Sequence, residues 1–279
     1  MENLKTAEDD IHFKSMKLYF NPNRIYKQLE NAGFTGSKLT VEQVSKFDNY
    51  HYYGTKAVDD CIEKLQINKT FQVLDFGSGI GGPARHLASK SRCRVKAVEI
   101  QEDLNKIAAD LTNRCGLSDR IDHVRQDIYK LDTDSNYFDC AVSWLAVNHI
   151  EDKAGLFEKL FTMLKKGGKI YIEDFYQKGP VTENEREILF IDDLPTIEEY
   201  RKYLVDAGFI NIEILNVTSS WIKFVTNRAE VFANERAQNC ASFGEETVNS
   251  LQDFYDGMKS LYDTNTIGGV QIYAQSPNN

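Results

Sequence analysis

The sequence predicts an α/β fold built on a largely parallel sheet, and three observations carry that prediction. Short apolar runs alternate with helix-period segments from about residue 70 to residue 217, a glycine cluster follows the first run, and a carboxylate closes each of the first three runs. The chain of 279 residues is 42% hydrophobic and 27% charged, enough for one large domain with a substantial core. A formal net charge of −9 leaves no diffuse basic surface to neutralise a phosphate backbone, so nucleic acid is not an expected partner. The longest mainly apolar stretch, around Cys140 to Val147, falls far short of the ~20 residues of a membrane span. The N-terminus has no apolar signal core, so a soluble, cytoplasmic protein without membrane insertion is expected. Five cysteines, Cys61, Cys93, Cys115, Cys140 and Cys240, form no C-x-x-C pair, which argues for free thiols in a reducing compartment and against a metal site.

The elements follow in order. Residues 1–55 read as a helical cap. A short helical pattern runs through Ile11, Met16, Leu18 and Tyr19, and a Thr40-x-x-Gln43 capping box opens a second helix. Thr55 is a candidate N-cap for a helix whose Val58, Cys61, Ile62 and Leu65 share one face. Residues 56–279 hold the sheet domain, with strands expected at Gln72–Phe76, Arg94–Ile100, Ile121–Arg125, Phe138–Trp144 and Lys169–Phe175. Between the last two, Lys153–Leu164 carries a Leu156, Phe157, Leu160, Phe161, Leu164 stripe, and Lys165-Lys166-Gly167-Gly168 supplies its stop. A second capping box, Thr196-x-x-Glu199, begins a helix to about Gly208 that feeds a strand at Asn211–Val217. The closing strand is Gly269–Gln275. Before it, residues 219–266 form an insertion with two amphipathic helical patterns, longer than a hairpin connection requires.

The stretch Val73-Leu74-Asp75-Phe76-Gly77-Ser78-Gly79-Ile80-Gly81-Gly82 takes a strand through clustered glycines into a helix, so backbone N–H groups can approach a ligand closely. Gly77, Gly79 and Gly82 satisfy the dinucleotide spacing, while Gly77, Gly79 and Gly81 satisfy a G-x-G-x-G variant. Asp75, two residues before the first glycine, suits an ammonium group and would repel a pyrophosphate. Glu99 ends the second strand, where a carboxylate can accept both ribose hydroxyls. Asp127-Ile128 follows the third strand, an acceptor beside an apolar side chain, able to hold an adenine's amine and its ring face.

On these residues, with Leu164-Lys165-Lys166-Gly167-Gly168-Lys169, the chain resembles the class I S-adenosylmethionine-dependent methyltransferases over about Lys69–Glu173. The resemblance implies a seven-stranded Rossmann-like methyltransferase sheet whose last strand runs antiparallel, with S-adenosyl-L-methionine as cofactor. Its cofactor residues would be Tyr50, Asp75, Gly77, Ser78, Gly79, Glu99, Ile100, Asp127, Ile128, Trp144 and Leu145. An NAD-dependent oxidoreductase would share the glycines and Glu99 but has no use for Asp75, and a catalytically idle subunit has no use for Asp75 and Glu99 together.

Outer segments narrow the acceptor. Phe47–Thr55, Ser143–Ile150, Trp221-Ile222-x-Phe224-Val225-x-x-Arg228 and Gly268-Gly269-Val270 look like small-molecule N-methyltransferases, sarcosine/dimethylglycine enzymes first and phosphoethanolamine enzymes second. No Asp-Pro-Pro-Tyr or Asn-Pro-Pro-Tyr follows the fourth strand, against a nucleic-acid amino-methyltransferase. His149, just beyond that strand, is the candidate base, since a histidine titrates near neutrality and the phosphoethanolamine enzymes carry a catalytic histidine at the matching place. Tyr52 and Tyr53 would join it, with ring faces for a methylated ammonium. Arg228 is the candidate for a substrate carboxylate or phosphate, with Trp221 beside it. Trp144 stands where the phosphoethanolamine enzymes carry Arg, which disfavours a phosphorylated acceptor. The expected partner is thus a small amine, and nothing in the sequence specifies an oligomeric state.

Overall fold

The computed structural model describes residues 21–189 and 193–278. The helical pattern through Ile11, Met16, Leu18 and Tyr19 lies outside them. Arg24–Asn31 (α1) and Val41–Val44 (α2) lead into Thr55–Leu65 (α3). The sheet then begins: Gln72–Phe76 (β1), Gly82–Ser91 (α4), Arg94–Glu99 (β2), Glu102–Arg114 (α5), Ile121–Arg125 (β3), Phe138–Trp144 (β4), Lys153–Met163 (α6) and Leu164–Gln177 (β5). Glu183–Leu189 (α7), Ile197–Asp206 (α8) and Ile210–Asn216 (β6) precede three helices, Thr218–Asn234 (α9), Arg236–Phe243 (α10) and Glu245–Asp263 (α11), and the closing strand Ile267–Gln275 (β7).

The seven strands lie in the order β3-β2-β1-β4-β5-β7-β6. β1 through β5 run parallel, and β7 inserts antiparallel between β5 and β6. Strand order reverses between β1 and β4, so their carboxyl ends open the crevice where an α/β sheet binds ligands. β1 is central, and four of its five residues are buried because both faces carry helices. On one face Leu74, Phe76, Ala141 and Ile172 meet Phe157, Leu160 and Tyr200 from α6 and α8. On the other, Val73, Val95 and Val142 meet Val58, Cys61 and Leu87 from α3 and α4. A third cluster, Tyr52, Phe175, Trp221, Val225 and Met258, joins the N-terminal segment to the insertion above the sheet edge.

Local corrections have physical reasons. Thr40 and Thr196 make the expected capping boxes. Thr55, however, is the first helical residue of α3, and Gly54 at φ +52° is its N-cap, because the chain enters the helix through a left-handed turn there. Residues 218–263 hold three helices rather than two, since Gly244 at φ +85° separates the short α10 from α11. Helix α7 carries no strong apolar period and was not expected.

Candidate active site

The glycine loop after β1 is shaped by close approach. Gly77 has φ +66°, and a β-carbon there would lie 2.2 Å from the Ala146 side chain. The loop therefore passes within contact distance of the loop after β4. Asp75 is the penultimate residue of β1 and is 1% exposed, with no hydrogen-bond partner on Oδ2. Burial, then repulsion from Glu99, pushes its carboxyl up to about 7. Glu99 Oε2 accepts from the Gly79 amide at 2.8 Å and Oε1 from the Gln101 amide at 2.9 Å. Burial raises its pKa too, opposed by those backbone donors. Asp127 caps the 3-10 turn Ile128–Lys130 through Oδ1, which accepts from the Tyr129 amide at 3.0 Å. A cavity of about 360 Å³ runs along Glu99 and Asp127, its walls including Gly77, Ile100, Ile128, Leu145 and His149, while Asp75 is not among its wall residues.

A second chamber lies toward the insertion and shares Gly77, Leu145 and His149 with the first. His149 thus stands where the two spaces meet. Its position is set by the 3-10 turn Val147–His149, whose Val147 and Asn148 amides donate to Asp174 Oδ2 at 2.7 and 3.2 Å. The Asn148 amide is oriented by its neighbours: its nitrogen faces Asp174 Oδ1 and the Leu145 carbonyl, each at 3.2 Å, and its oxygen accepts from His149 Nε2 at 3.2 Å. Asp174 is fully buried, and desolvation raises its pKa to about 7 despite three backbone donors.

The chamber walls are mainly aromatic and apolar: Tyr50, Tyr52, Trp144, Phe175, Phe254, Met258 and Leu189 line it with His51, Ser78 and Arg228. Ser78 Oγ and Trp144 Nε1 are buried without a hydrogen-bond partner among the described residues. Tyr52 is 5% exposed and packs edge-on against Trp221 at 4.7 Å. Arg228 donates to the Tyr50 carbonyl at 3.3 Å and the His51 carbonyl at 3.1 Å, with its guanidinium 4.5 Å from the Phe224 ring centre. It therefore staples the N-terminal segment to α9 while it lines the chamber.

Two residues of the expected set are not in the chamber wall. Tyr53, at φ +59°, turns outward; it is 37% exposed and its hydroxyl donates to the Ser220 carbonyl at 2.6 Å. Trp221 is buried beneath the chamber wall against Tyr52, Phe175 and Gly269, where a β-carbon on Gly269 would meet its ring at 2.4 Å. Several residues with positions of consequence were not anticipated. His51 and Asn148 sit in the wall, and Asp174 holds the His149 turn. The Asp48–Arg85 ion pair, 2.9 Å long with side chains 1% and 0% exposed, ties the N-terminal segment to the helix after the glycine loop. Only His51 carried a local signal, its place among three tyrosines.

A family model described as a methyltransferase domain matches residues 74–172. Phosphoethanolamine N-methyltransferase 3 of Arabidopsis thaliana is 27% identical over 211 residues, 74% of this chain and 42% of that protein. The glycine/sarcosine/dimethylglycine N-methyltransferase of Actinopolyspora halophila is 28% identical over 188 residues, 66% of this chain and 33% of that protein. The chain thus spans less than half the length of these curated relatives. Among solved structures, phosphoethanolamine N-methyltransferase 2 of Haemonchus contortus, in complex with phosphomonomethylethanolamine and S-adenosylhomocysteine, superposes with a TM-score of 0.78 at 21% identity. That match covers 92% of this chain and 61% of that one. Residues 74–172 are accordingly similar to a methyltransferase domain, set in a seven-stranded Rossmann-like fold shared with that solved structure.

Proposed function

We propose that the chain transfers the methyl group of S-adenosylmethionine to the nitrogen of a small soluble amine, with a zwitterion such as sarcosine or dimethylglycine as the preferred acceptor. The observation that carries this reading is the pair of cavities that meet at His149, one lined by carboxylates at strand ends and the other by aromatic rings and Arg228. The cofactor fits the residues present. The unpartnered Oδ2 of Asp75 suits an ammonium, the lone pairs left on Glu99 suit a ribose diol, and the Asp127–Ile128 pair suits an adenine. When bound, the cofactor supplies an activated sulfonium methyl group. The protein's share is to hold the amine in line, keep it unprotonated and exclude water. His149, at the junction, is the group for proton removal, and its tilt is set through Asn148 by Asp174. Tyr52 and Trp144 offer ring faces to a cationic product, a contact worth ~0.5–2 kcal/mol. Arg228 uses two N–H donors on backbone carbonyls and keeps others for a substrate carboxylate.

A phosphorylated acceptor is the second reading, favoured by the likeness to phosphoethanolamine methyltransferases. Against it stands the wall itself, in which Arg228 is the one cation among the described residues and Trp144 contributes an indole. Steady-state kinetics separate the roles. Arg228→Ala raises KM with little change in kcat, because a carboxylate is held alike in ground and transition states, whereas His149→Ala mainly lowers kcat. A KM for amino acids unmoved by Arg228→Ala refutes the zwitterion reading.

A further inference from the structure

Resting on the amine reading above, we propose that His51 is a further substrate-contacting residue, whose Nδ1 accepts a hydrogen bond from an N–H of the acceptor amine and so, within that class of zwitterions, favours primary and secondary amines such as sarcosine over the tertiary dimethylglycine. His51 lines the chamber and is 5% exposed. Its Nε2 lies 3.0 Å from the Gly54 carbonyl oxygen. A carbonyl oxygen can only accept, so Nε2 carries the hydrogen, and in a neutral ring Nδ1 is left with a lone pair. Among the described residues no group donates to it. Burial, helped by the Arg228 charge, depresses the ring's pKa to about 4 and keeps it neutral.

The ring is also fixed in place. Its centre stands 5.6 Å from that of Trp144, and its own carbonyl is held by Arg228 Nη2 at 3.1 Å. Such a group is too weak a base to strip an ammonium of its proton. It is well suited to hold a neutral amine by a residual N–H while the nitrogen lone pair faces the sulfonium. Primary and secondary amines keep an N–H in that pose. A neutral tertiary amine has none, so it gains nothing from Nδ1.

The test compares His51→Gln, whose amide nitrogen replaces Nε2 toward Gly54 but removes the Nδ1 acceptor, with His51→Asn, whose side-chain oxygen replaces Nδ1 but cannot reach Gly54. Initial rates are measured with saturating S-adenosylmethionine for glycine, sarcosine and dimethylglycine, and for phosphoethanolamine with its N-methyl and N,N-dimethyl forms. S-adenosylhomocysteine affinity reports on folding. The expected result is that His51→Gln lowers kcat/KM by roughly tenfold or more for primary and secondary members and under about threefold for tertiary ones, the loss of one buried hydrogen bond. His51→Asn keeps the primary-to-tertiary ratio of the unaltered protein. An equal loss across the series, no loss, or turnover of tertiary members alone by the unaltered protein overturns the His51 role. If His51→Gln no longer binds S-adenosylhomocysteine, the ratio in His51→Asn decides, and its collapse overturns the role. No turnover of either series by the unaltered protein refutes the amine reading, and the His51 role falls with it.

Discussion

Replacing Glu99 with alanine is the sharpest perturbation of the proposed cofactor site. Each oxygen of this carboxylate already accepts one backbone amide, from Gly79 at 2.8 Å and from Gln101 at 2.9 Å, and each keeps a lone pair for one ribose hydroxyl. A hydrogen bond to a charged acceptor contributes ~1.5–3 kcal/mol, so two give about 3–6 kcal/mol if fully additive. They are not. Burial disfavours the ionised carboxylate, as its raised pKa reports, and alanine relieves that cost in the free protein. The net loss is about 2–4 kcal/mol, which is roughly a 30- to 1000-fold rise in Kd for S-adenosylhomocysteine. Titration calorimetry measures it, with thermal unfolding and circular dichroism as the check on folding. A folded Glu99→Ala protein whose Kd lies within about twofold of the unaltered value would refute the ribose assignment, since it would place less than ~0.5 kcal/mol on this contact.

Three further outcomes follow from the same geometry. Because Asp75 titrates near 7 when free, ligand binding at pH 6 expels up to one proton as an incoming ammonium ionises it. Calorimetry in buffers of different ionisation enthalpy reads this release, and Asp75→Asn abolishes it; proton uptake would contradict the assignment. In the free protein the same group makes stability fall as pH rises from 3.8 toward 7, because the folded state keeps a proton that the unfolded chain has lost. Below 6.5 the buried His51 and the half-buried His123, both depressed to about 4, oppose that slope. Asp48→Ala leaves the Arg85 charge buried and lowers stability by about 3–5 kcal/mol, seen as a drop in Tm of several degrees or more; an unchanged Tm would mean that the pair is not formed. Finally, limited proteolysis with S-adenosylhomocysteine should protect residues 21–55 and 218–263, whose Tyr52 and Met258 line the chamber and pack in one cluster. Equal cleavage in both states would argue against a ligand-coupled lid.

The placement of the strand-end carboxylates was legible because its causes are local. Asp75, Glu99 and Asp127 each lie at or near the end of a strand that the apolar pattern already marks, and parallel strands bring such ends to one edge. The acceptor chamber was legible only in part. Tyr50, Tyr52 and Tyr53 are indistinguishable as residue types, and a left-handed turn at Tyr53 decides which of them faces inward. Trp221 has the right helical phase, but Gly269 opens a slot that takes its ring into the core. Asp174 sits inside an apolar strand run, where its value lies in capping a turn 26 to 27 residues away in sequence. Arg85 follows the glycines as an ordinary helical residue, and only the packed fold reveals that it is wholly buried against Asp48.

In the proposed reaction, strand-end carboxylates and an aromatic chamber, joined at His149, serve methyl transfer to a small amine. Incubation with methyl-labelled S-adenosylmethionine across glycine, sarcosine, dimethylglycine, ethanolamine and phosphoethanolamine, with separation of the products, tests it directly. Label is expected in at least one soluble amine product, strongest with an amino acid, and is lost with His149→Ala. Intact S-adenosylhomocysteine binding with no label in any amine would contradict it.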